Sequence, residues 1–585
     1  MQDKLKNLIK DALKNLEIEV SNITLEHPAD LKMGDYSTNV AMAVAKSVKS
    51  NPKALAEKIA TEISRLNLDK NIEKVEVAGP GFINFYLSRK FFAQSVEEIL
   101  NKGENVGKND VLSGKKIMIE YTDPNPFKPF HIGHLMTNAI GESVARILEH
   151  SGAEVSRANY QGDVGLHVAK AIFGMHKKGM PANMSASTAL LAQYIGDSYV
   201  LGSEEYEKDA EAKKEIDALN KKLYDKTDPQ VNEVYDWGFR VTMNAFQDLY
   251  EMLGTEFDFY FLESQMAPIG ERIVRDNLDE LIDSAKSKMV FEKSDGAIVF
   301  KAEKHDPKLH TRVFITSQGL PTYETKELGL TEEKFKTVPD LDLSIIVTAN
   351  EQMDYMRVVA KAVSLIHPEH EKKMKHITHG MMRFASGKMS SRKGNVVTGE
   401  SLLRDTIALI AEKMSAKGGP ASGWKEEERA KVAEMVGVAA IKYSVLRSAS
   451  GGDIVYNVEE SVSTEGDSGP YLQYSYARAH SVLEKAKIEN ILPDPHAFPN
   501  EIAEVEKLLY RFPEIMLRSS HEYEPHYIAN YLIEVARAFN SFYGNNLIVS
   551  KEDKASSYKI ALTYAFSSVM KTGLHLLGIQ APKKM

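Results

Sequence analysis

Two histidines, His131 and His134, stand three residues apart where a helix is predicted to begin. From Ile132 onward, apolar residues recur at spacings of 0, 3, 4, 7, 8, 12, 15 and 16, which is one face of a helix. Side chains three apart project from about the same side of the first turn, and a helix N-terminus attracts phosphate. We therefore expect both imidazoles to donate hydrogen bonds to phosphate oxygens, with Gly133 letting a flat ring or ribose approach the backbone. The alternative is that both histidines only cap the helix or lie on the surface.

A second candidate for chemistry is the segment GKMSSRKGN at 387–395, which carries the cations Lys388, Arg392 and Lys393. A mobile, positive loop of this kind is suited to closing over a polyphosphate whose charge grows in the transition state. The alternative for this segment is a solvated basic turn.

The elements around the histidines predict where they lie. An apolar strand at 115–121, a proline-rich loop, the helix and a strand at 153–159 form a strand–helix–strand unit with a right-handed crossover. Further strands are predicted at 297–301, 313–316, 344–348 and 376–384. This alternation favours an α/β fold with a Rossmann-like parallel sheet, which binds ligands at the carboxyl ends of its strands.

Three domains are predicted. Residues 1–105 form an α+β domain with helices at its start and at 51–66, a strand at 17–24, and strand character around a glycine turn at 75–88. Residues 106–422 form the catalytic domain, with a helical insertion at about 174–290. Residues 423–585 form an all-α helix bundle, with helices at 425–448, 471–487, 502–520, 527–543 and 556–577.

The composition of the 585 residues excludes several classes. Cysteine is absent, so disulfides and cysteine-ligated zinc are excluded. No apolar run approaches the ~18 residues that span a membrane, and the polar N-terminus lacks a signal peptide, so we expect a cytoplasmic protein. The net charge of −9 argues against a sequence-blind nucleic-acid coat but permits a specific RNA ligand on a local basic track.

The sequence HIGH at 131–134 followed by KMSS at 388–391 resembles class I aminoacyl-tRNA synthetases, and the details are similar to arginyl-tRNA synthetases. The resemblance rests on NPFKP at 125–129, NYQGDVGLH at 159–167, TYETKELG at 322–329, GPYLQYSYAR at 469–478 and the terminal APKKM. It runs in order over nearly the whole chain.

Two positions depart from the family pattern. Ser391 replaces the last lysine of a KMSK signature, and members without that lysine carry one just before HIGH, where this chain has Lys128. Lys326 and Glu327 stand where the family shows arginine and aspartate. The side chain of Glu327 is one methylene longer than that aspartate, which changes the geometry available for substrate binding.

The resemblance implies that ATP, brought with Mg²⁺ as its substrate complex and with no protein-bound metal, activates L-arginine and that the arginyl group passes to tRNA(Arg). It implies catalytic roles for Lys128, His131, His134 and Lys388. It implies ATP contacts for Phe130, Gly133, Met389, Ser390 and Arg392. A guanidinium needs carboxylates in fork geometry and a flat neighbour, and the candidates for arginine binding are Glu120, Asn125, Tyr323, Glu327 and Gln352.

Contacts with tRNA are predicted at both ends of the chain. Aromatic side chains stack on unpaired bases and arginine holds phosphate. The candidates are Phe82 and Asn84 for the tRNA elbow, and Tyr471, Gln473, Tyr474 and Arg478 for the anticodon. The alternative for each is a packing role. The charged stretch 203–226 is interpreted as solvated surface, with direct tRNA contact as its alternative.

Two other functions remain open at this point. A nucleotidyltransferase with a HIGH segment would activate a small substrate without RNA, and the helical C-terminal third argues against it. A noncatalytic tRNA-binding scaffold is opposed by the intact Lys128, His131, His134 and Lys388. We expect a monomer with no membrane partner.

Overall fold

The structure is a computed structural model that describes residues 1–66, 69–278, 290–385, 397–416, 421 and 423–585. The first region places helices against a small antiparallel sheet of order β1-β3-β2. Its elements are α1 (Gln2–Asn15), β1 (Tyr36–Thr38), α2 (Val40–Val44), α3 (Pro52–Arg65), β2 (Ile72–Ala78), β3 (Phe82–Leu87) and α4 (Arg89–Lys102). The apolar faces of α1 and α3 pack on β3 and form the core of this region.

The predicted strand at 17–24 is wrong. Glu17 adopts the left-handed backbone conformation, with φ of 56°, and turns the chain directly after α1. The alternating residues Ile18, Val20 and Ile23 pack against the core, but no strand of the described residues pairs with this segment. The alternation of apolar and polar residues in this segment therefore reflects partial burial and not a strand.

The central region contains a parallel sheet whose five strands within the described residues have the order β11-β10-β4-β5-β6. In chain order, the elements from the first to the third strand of this sheet are β4 (Lys116–Glu120), α5 (Ile132–His150), β5 (Glu154–Gln161), α6 (Leu166–Lys178), α7 (Thr188–Lys208), α8 (Ala210–Asp225), α9 (Pro229–Leu253) and β6 (Phe259–Leu262). The rest are α10 (Glu263–Asp276), β7 (Glu292–Ser294), β8 (Ala297–Phe300), β9 (Arg312–Ile315), α11 (Tyr323–Thr337), β10 (Leu343–Ala349), α12 (Met353–Ile366), α13 (Pro368–Glu371), β11 (Met374–His379), β12 (Met382–Phe384) and α14 (Gly399–Ser415).

The order of the strands reverses between β4 and β10. From β4 the chain adds β5 and β6 on one side, and then β10 and β11 on the other. The carboxyl ends of β4 and β10 are thus the topological switch point, where open α/β sheets bind their ligands. The parallel-sheet prediction is confirmed, and the helix that starts at Ile132 directly follows the β4 loop.

Three details of this region differ from the sequence prediction. The strands near 297–301 and 313–316 exist, but they pair antiparallel in a separate sheet with β7. The strand β6 lies inside the predicted helical insertion and forms an edge of the parallel sheet. The strand predicted at 376–384 breaks after His379, and β12 pairs with a strand of the C-terminal region instead.

The C-terminal region is mainly helical, as predicted. Its elements are α15 (Glu426–Leu446), β13 (Ile454–Tyr456), α16 (Val458–Ser461), α17 (Gly469–Ile488), α18 (Glu504–Leu509), α19 (Phe512–Glu522), α20 (His526–Asn545) and α21 (Ser556–Leu576). The helix predicted at 502–520 is divided into α18 and α19, because Pro513 has no N–H to continue a helix and is tolerated only in a first turn. The exact domain boundaries stay predictions. No helix in the described part of the chain is long and apolar enough to cross a membrane.

Candidate active site

His131 and His134 cap each other at the start of α5. The backbone N–H of His134 donates to His131 Nδ1 at 3.3 Å, and the backbone N–H of His131 donates to His134 Nδ1 at 3.2 Å. The two rings stack with centroids 3.3 Å apart. Since both Nδ1 atoms accept, a neutral ring at either position carries its proton on Nε2.

Burial keeps both imidazoles neutral. Desolvation, with smaller contributions from Lys128 and His379, lowers the pKa of His131 to about 4. Burial and the neighbouring His131 lower the pKa of His134 well below its usual value. The capping arrangement therefore fixes the tautomer in which each Nε2–H is free to donate, so the capping and phosphate-binding interpretations are compatible. A Cβ added at Gly133 would lie 3.0 Å from His131 Cε1 and Nδ1, which explains the glycine between them.

The loop before α5 carries Lys128 and Phe130. The Lys128 Nζ lies 5.5 Å from the centroid of the Tyr199 ring on α7, and burial lowers its pKa while Glu263 opposes that shift. Phe130 is buried, and its carbonyl accepts the backbone N–H of Gly399 at 2.8 Å. The start of α14 thus touches the loop that precedes the histidines.

Lys388, Met389, Ser390 and Arg392 lie outside the described residues, as does Lys393. The described chain resumes shortly before Gly399, where α14 begins against Phe130. The predicted roles of these residues stay predictions.

Buried carboxylates gather where β4 ends and where α10 and α11 cover the sheet. Glu120, Glu263 and Glu327 are each less than a tenth exposed. Lys334 pairs with Glu120, and Lys326 pairs with Glu263. We call these five side chains, together with Asp123, the acidic cluster.

The acidic cluster has more carboxylates than cations. Desolvation, reinforced by the charge of Glu120 and opposed by Lys334, raises the pKa of Glu327 to about 8. Burial and Glu120 also raise the pKa of Asp123 well above its usual range. The two lysines pair with Glu120 and Glu263, so Glu327 and Asp123 have no paired cation among the described residues to stabilise their ionised forms, and burial favours their protonated forms.

The structure places the remaining arginine-binding candidates at different depths. A Cβ at Gly162 would lie 2.2 Å from Asn125 Oδ1 and 3.1 Å from Glu263 Oε1, so Asn125 reaches the acidic cluster. Tyr323 is 64% exposed, one helical turn before Glu327. Gln352 is exposed and accepts a hydrogen bond from the Tyr355 hydroxyl at 3.4 Å. Glu120, Asn125 and Glu327 are therefore brought together. Tyr323 lies at the solvent edge of the acidic cluster, with its ring centroid 5.2 Å from Lys326 Nζ, and Gln352 lies in solvent.

Sequence reasoning missed five residues of this site, one of which is Lys334, the partner of Glu120. Glu263 begins α10 directly after β6, and no local signal marked it. Asp123 accepts the backbone N–H of Tyr160 at 2.7 Å, and His167 Nε2 contacts the Gly162 carbonyl oxygen at 2.8 Å. Tyr160 and His167 belong to the block at 159–167, whose resemblance to the family was noted without assigning them roles.

Phe82 and Asn84 line a cavity of about 540 Å³ in the N-terminal region. Phe82 is 38% exposed, whereas Asn84 is buried and accepts from Ser37 Oγ at 2.7 Å. His27 and Asn39 line the same cavity. An aromatic face beside hydrogen-bonding groups is what binding of an unstacked base requires.

The C-terminal candidates separate into two groups. The Arg478 guanidinium lies between the Tyr474 and Tyr543 rings, 4.7 and 4.9 Å from their centroids, and Asn540 bonds both Arg478 and Tyr471. Gln473, in contrast, is fully buried, and its amide donates to the carbonyl oxygens of residues 435 and 580. A direct tRNA contact at Gln473 is corrected to an internal packing role, because no part of its side chain reaches solvent.

Three family models match the chain. They are "tRNA synthetases class I (R), catalytic domain" over residues 95–458, "DALR anticodon binding domain" over 472–585, and "Arginyl tRNA synthetase N terminal domain" over 3–87. Two relatives named arginine–tRNA ligase are similar over their full length. That of Halothermothrix orenii is 30% identical over 100% of this chain and 99% of its own. That of Clostridium perfringens is 31% identical over 99% and 100%.

Solved structures agree on the fold. The arginyl-tRNA synthetase of Thermus thermophilus superimposes with a TM-score of 0.77 at 23% identity, covering 100% of both chains. That of Plasmodium falciparum gives 0.78 at 19% identity, covering 100% of this chain and 99% of its own. All three regions of the chain thus lie in a known architecture.

Proposed function

Because the chain belongs to the arginyl-tRNA synthetase family and is an ATP-dependent arginine–tRNA ligase, we propose that the acidic cluster and the histidine pair at the start of α5 carry its chemistry. L-Arginine and ATP give arginyl-adenylate and pyrophosphate. The arginyl group then passes to the 3′-terminal adenosine of tRNA(Arg), and AMP leaves.

The observation that carries this proposal is the shortage of positive charge in the acidic cluster. A guanidinium brings one delocalised charge and five N–H donors in a planar fork. Glu327 holds its proton up to about pH 8 without such a partner, because burial and Glu120 disfavour its ionised form. A bound guanidinium supplies the missing cation, with Asn125 near enough to contact the polar end of the substrate.

Activation needs charge stabilisation rather than a protein nucleophile. A carboxylate oxygen of arginine attacks the α-phosphorus of ATP, and the bond to pyrophosphate breaks. The Nε2–H groups of His131 and His134 donate to phosphate oxygens as negative charge shifts between them. Lys128 and Lys388 neutralise the departing pyrophosphate, and Lys128 substitutes for the lysine that Ser391 replaces. Arg392 supplies a further cation, and Phe130, Gly133, Met389 and Ser390 contact ATP.

Mg²⁺ enters with ATP as part of the substrate. It takes oxygen ligands and commonly keeps several waters, so phosphate oxygens satisfy most of its requirements. In the transfer step the terminal ribose hydroxyl attacks the arginyl carbonyl, the bond to AMP breaks, and the hydroxyl proton leaves with the products. Proximity of the bound reactants supplies much of the rate.

Two regions are proposed to hold tRNA. The cavity with Phe82 and Asn84 takes part of the elbow, and the Tyr474–Arg478–Tyr543 stack, with Tyr471 beside it, meets the anticodon. Support for the second is that arginine between two aromatic rings offers stacking faces and a phosphate contact together. We further propose a monomer that acts in the cytoplasm.

The test is a charging assay with ATP, bulk tRNA and each amino acid in turn. Only arginine should be attached to tRNA. A nucleotidyltransferase would consume ATP without charging, and a scaffold would bind tRNA without consuming ATP. Equal or greater charging with another amino acid would overturn the assignment of the acidic cluster.

A further inference from the structure

Tyr160 lies on the face of the parallel sheet that carries the acidic cluster. In the register of the sheet, Glu120 of β4 is paired with Ala158 of β5, and Tyr160 is paired with Phe261 of β6. Residues two apart on a strand share a face, so Glu120 and Tyr160 project to the same side. Their neighbours on this side pack with residues of α10 and α11, the helices that carry Glu263 and Glu327.

The hydroxyl of Tyr160 is buried and has no hydrogen-bond partner among the described residues. Burial raises its pKa well above the usual value, and the charges of Glu263, Glu327 and Glu120, with Tyr355, raise it further. The backbone N–H of the same residue donates to Asp123 at 2.7 Å, which anchors the strand end beside these carboxylates. An unpartnered buried hydroxyl costs stability, and a ligand that supplies a hydrogen bond to it would recover that cost.

A guanidinium bound among the carboxylates satisfies this hydroxyl. The phenolic oxygen can accept one guanidinium N–H. A neutral acceptor adds a hydrogen bond to the guanidinium fork without adding negative charge to a cluster with more carboxylates than lysines.

We propose that Tyr160 is a guanidinium-binding residue of the arginine site, whose hydroxyl stays unpaired until the substrate arrives. This rests on the proposed function, because it adds a further contact to the same site. The unpaired hydroxyl lowers the stability of the ligand-free protein, and binding of a guanidinium restores that free energy. Tyr160 therefore favours a ligand that places an N–H group next to its hydroxyl.

The test is Tyr160→Phe, compared with Tyr250→Phe as a matched control. Tyr250 on α9 also has a buried hydroxyl, but the groups around it are Tyr260, Asp123 and the amide side chains of Gln161 and Asn159 rather than the three glutamates. Both substitutions remove only an oxygen. Tyr160→Phe should therefore unfold at a higher denaturant midpoint than the parent, because it loses a buried unsatisfied group.

Only Tyr160→Phe should change the arginine kinetics. We expect its KM for arginine in tRNA charging to rise about 10- to 100-fold, the usual range for losing a hydrogen bond to a charged group. Its KM for ATP and the arginine KM of Tyr250→Phe should stay unchanged. An unchanged arginine KM in Tyr160→Phe overturns the proposal, and so does a lower unfolding midpoint, which would mean that the hydroxyl has a partner in the free protein. Absence of arginine charging by the parent protein would instead overturn the proposed function.

Discussion

The proton held by Glu327 should make arginine binding depend strongly on pH. Burial and Glu120 raise the pKa of Glu327 to about 8, and Glu263 and Glu324 add to the effect while Lys334 opposes it. Only the ionised carboxylate pairs with a guanidinium. Arginine binding must therefore expel this proton, and the affinity should increase as the pH rises towards 8.

The size of the effect follows from the pKa. With a value of about 8, roughly 1% of Glu327 is ionised at pH 6 and about half at pH 8, so the arginine KM should fall about 50-fold between them and level off above pH 9. The measurement is tRNA charging from pH 6 to 9, with the KM for ATP determined at each pH as an internal control.

Stability should change in the opposite direction in the ligand-free protein. A carboxyl whose folded pKa is raised contributes stability that is complete below its ordinary value of 4.5 and is lost as the pH rises through about 8. Saturating arginine should therefore raise the Tm more at pH 9 than at pH 6.

The control is Glu327→Gln, which removes the titration. Its arginine KM should be raised about 10- to 100-fold at pH 9, because a charge-assisted pair is lost, and should be nearly independent of pH. A flat arginine KM in the parent protein would refute this reasoning. The same steep profile in Glu327→Gln would assign the proton to another group.

The remaining predictions concern phosphate and tRNA binding. His134→Ala should lower arginine activation about 100-fold, because an Nε2–H donor to phosphate is lost, whereas His150→Ala at the other end of α5 should not; equal effects would show that the pair only caps the helix. Lys128→Ala should strongly lower the rate of pyrophosphate exchange measured with tRNA present, and adding Ser391→Lys should restore part of that rate. A fall in Tm without such a rescue would give Lys128 a structural role. Arg478→Ala should raise the KM for tRNA about tenfold without changing the KM for ATP, and an unchanged tRNA KM would contradict the anticodon assignment.

The sequence alone determined the parts of the site that follow from local pattern. The apolar period from Ile132 fixes a helix whose stripe packs on the sheet, and the strand before it fixes where that helix begins. His131, Gly133 and His134 are therefore placed by residues within a few turns of themselves. The order of sequence blocks identified the family for the same reason, because each block is short and contiguous.

Only the tertiary structure decided which distant groups share an environment. Glu263 joins Glu120 because β6 adds to the sheet beside β5, and no residue near Glu263 encodes that neighbour. Gln473 is a second example. Its side-chain amide donates to the carbonyl oxygens of residues 435 and 580, which are far from it in sequence. The alternating segment at 17–24 packs against the core but finds no strand to pair with. Periodicity along the chain reports which side of an element is buried, whereas the partner of a strand and the charge around a carboxylate depend on contacts between residues far apart in sequence.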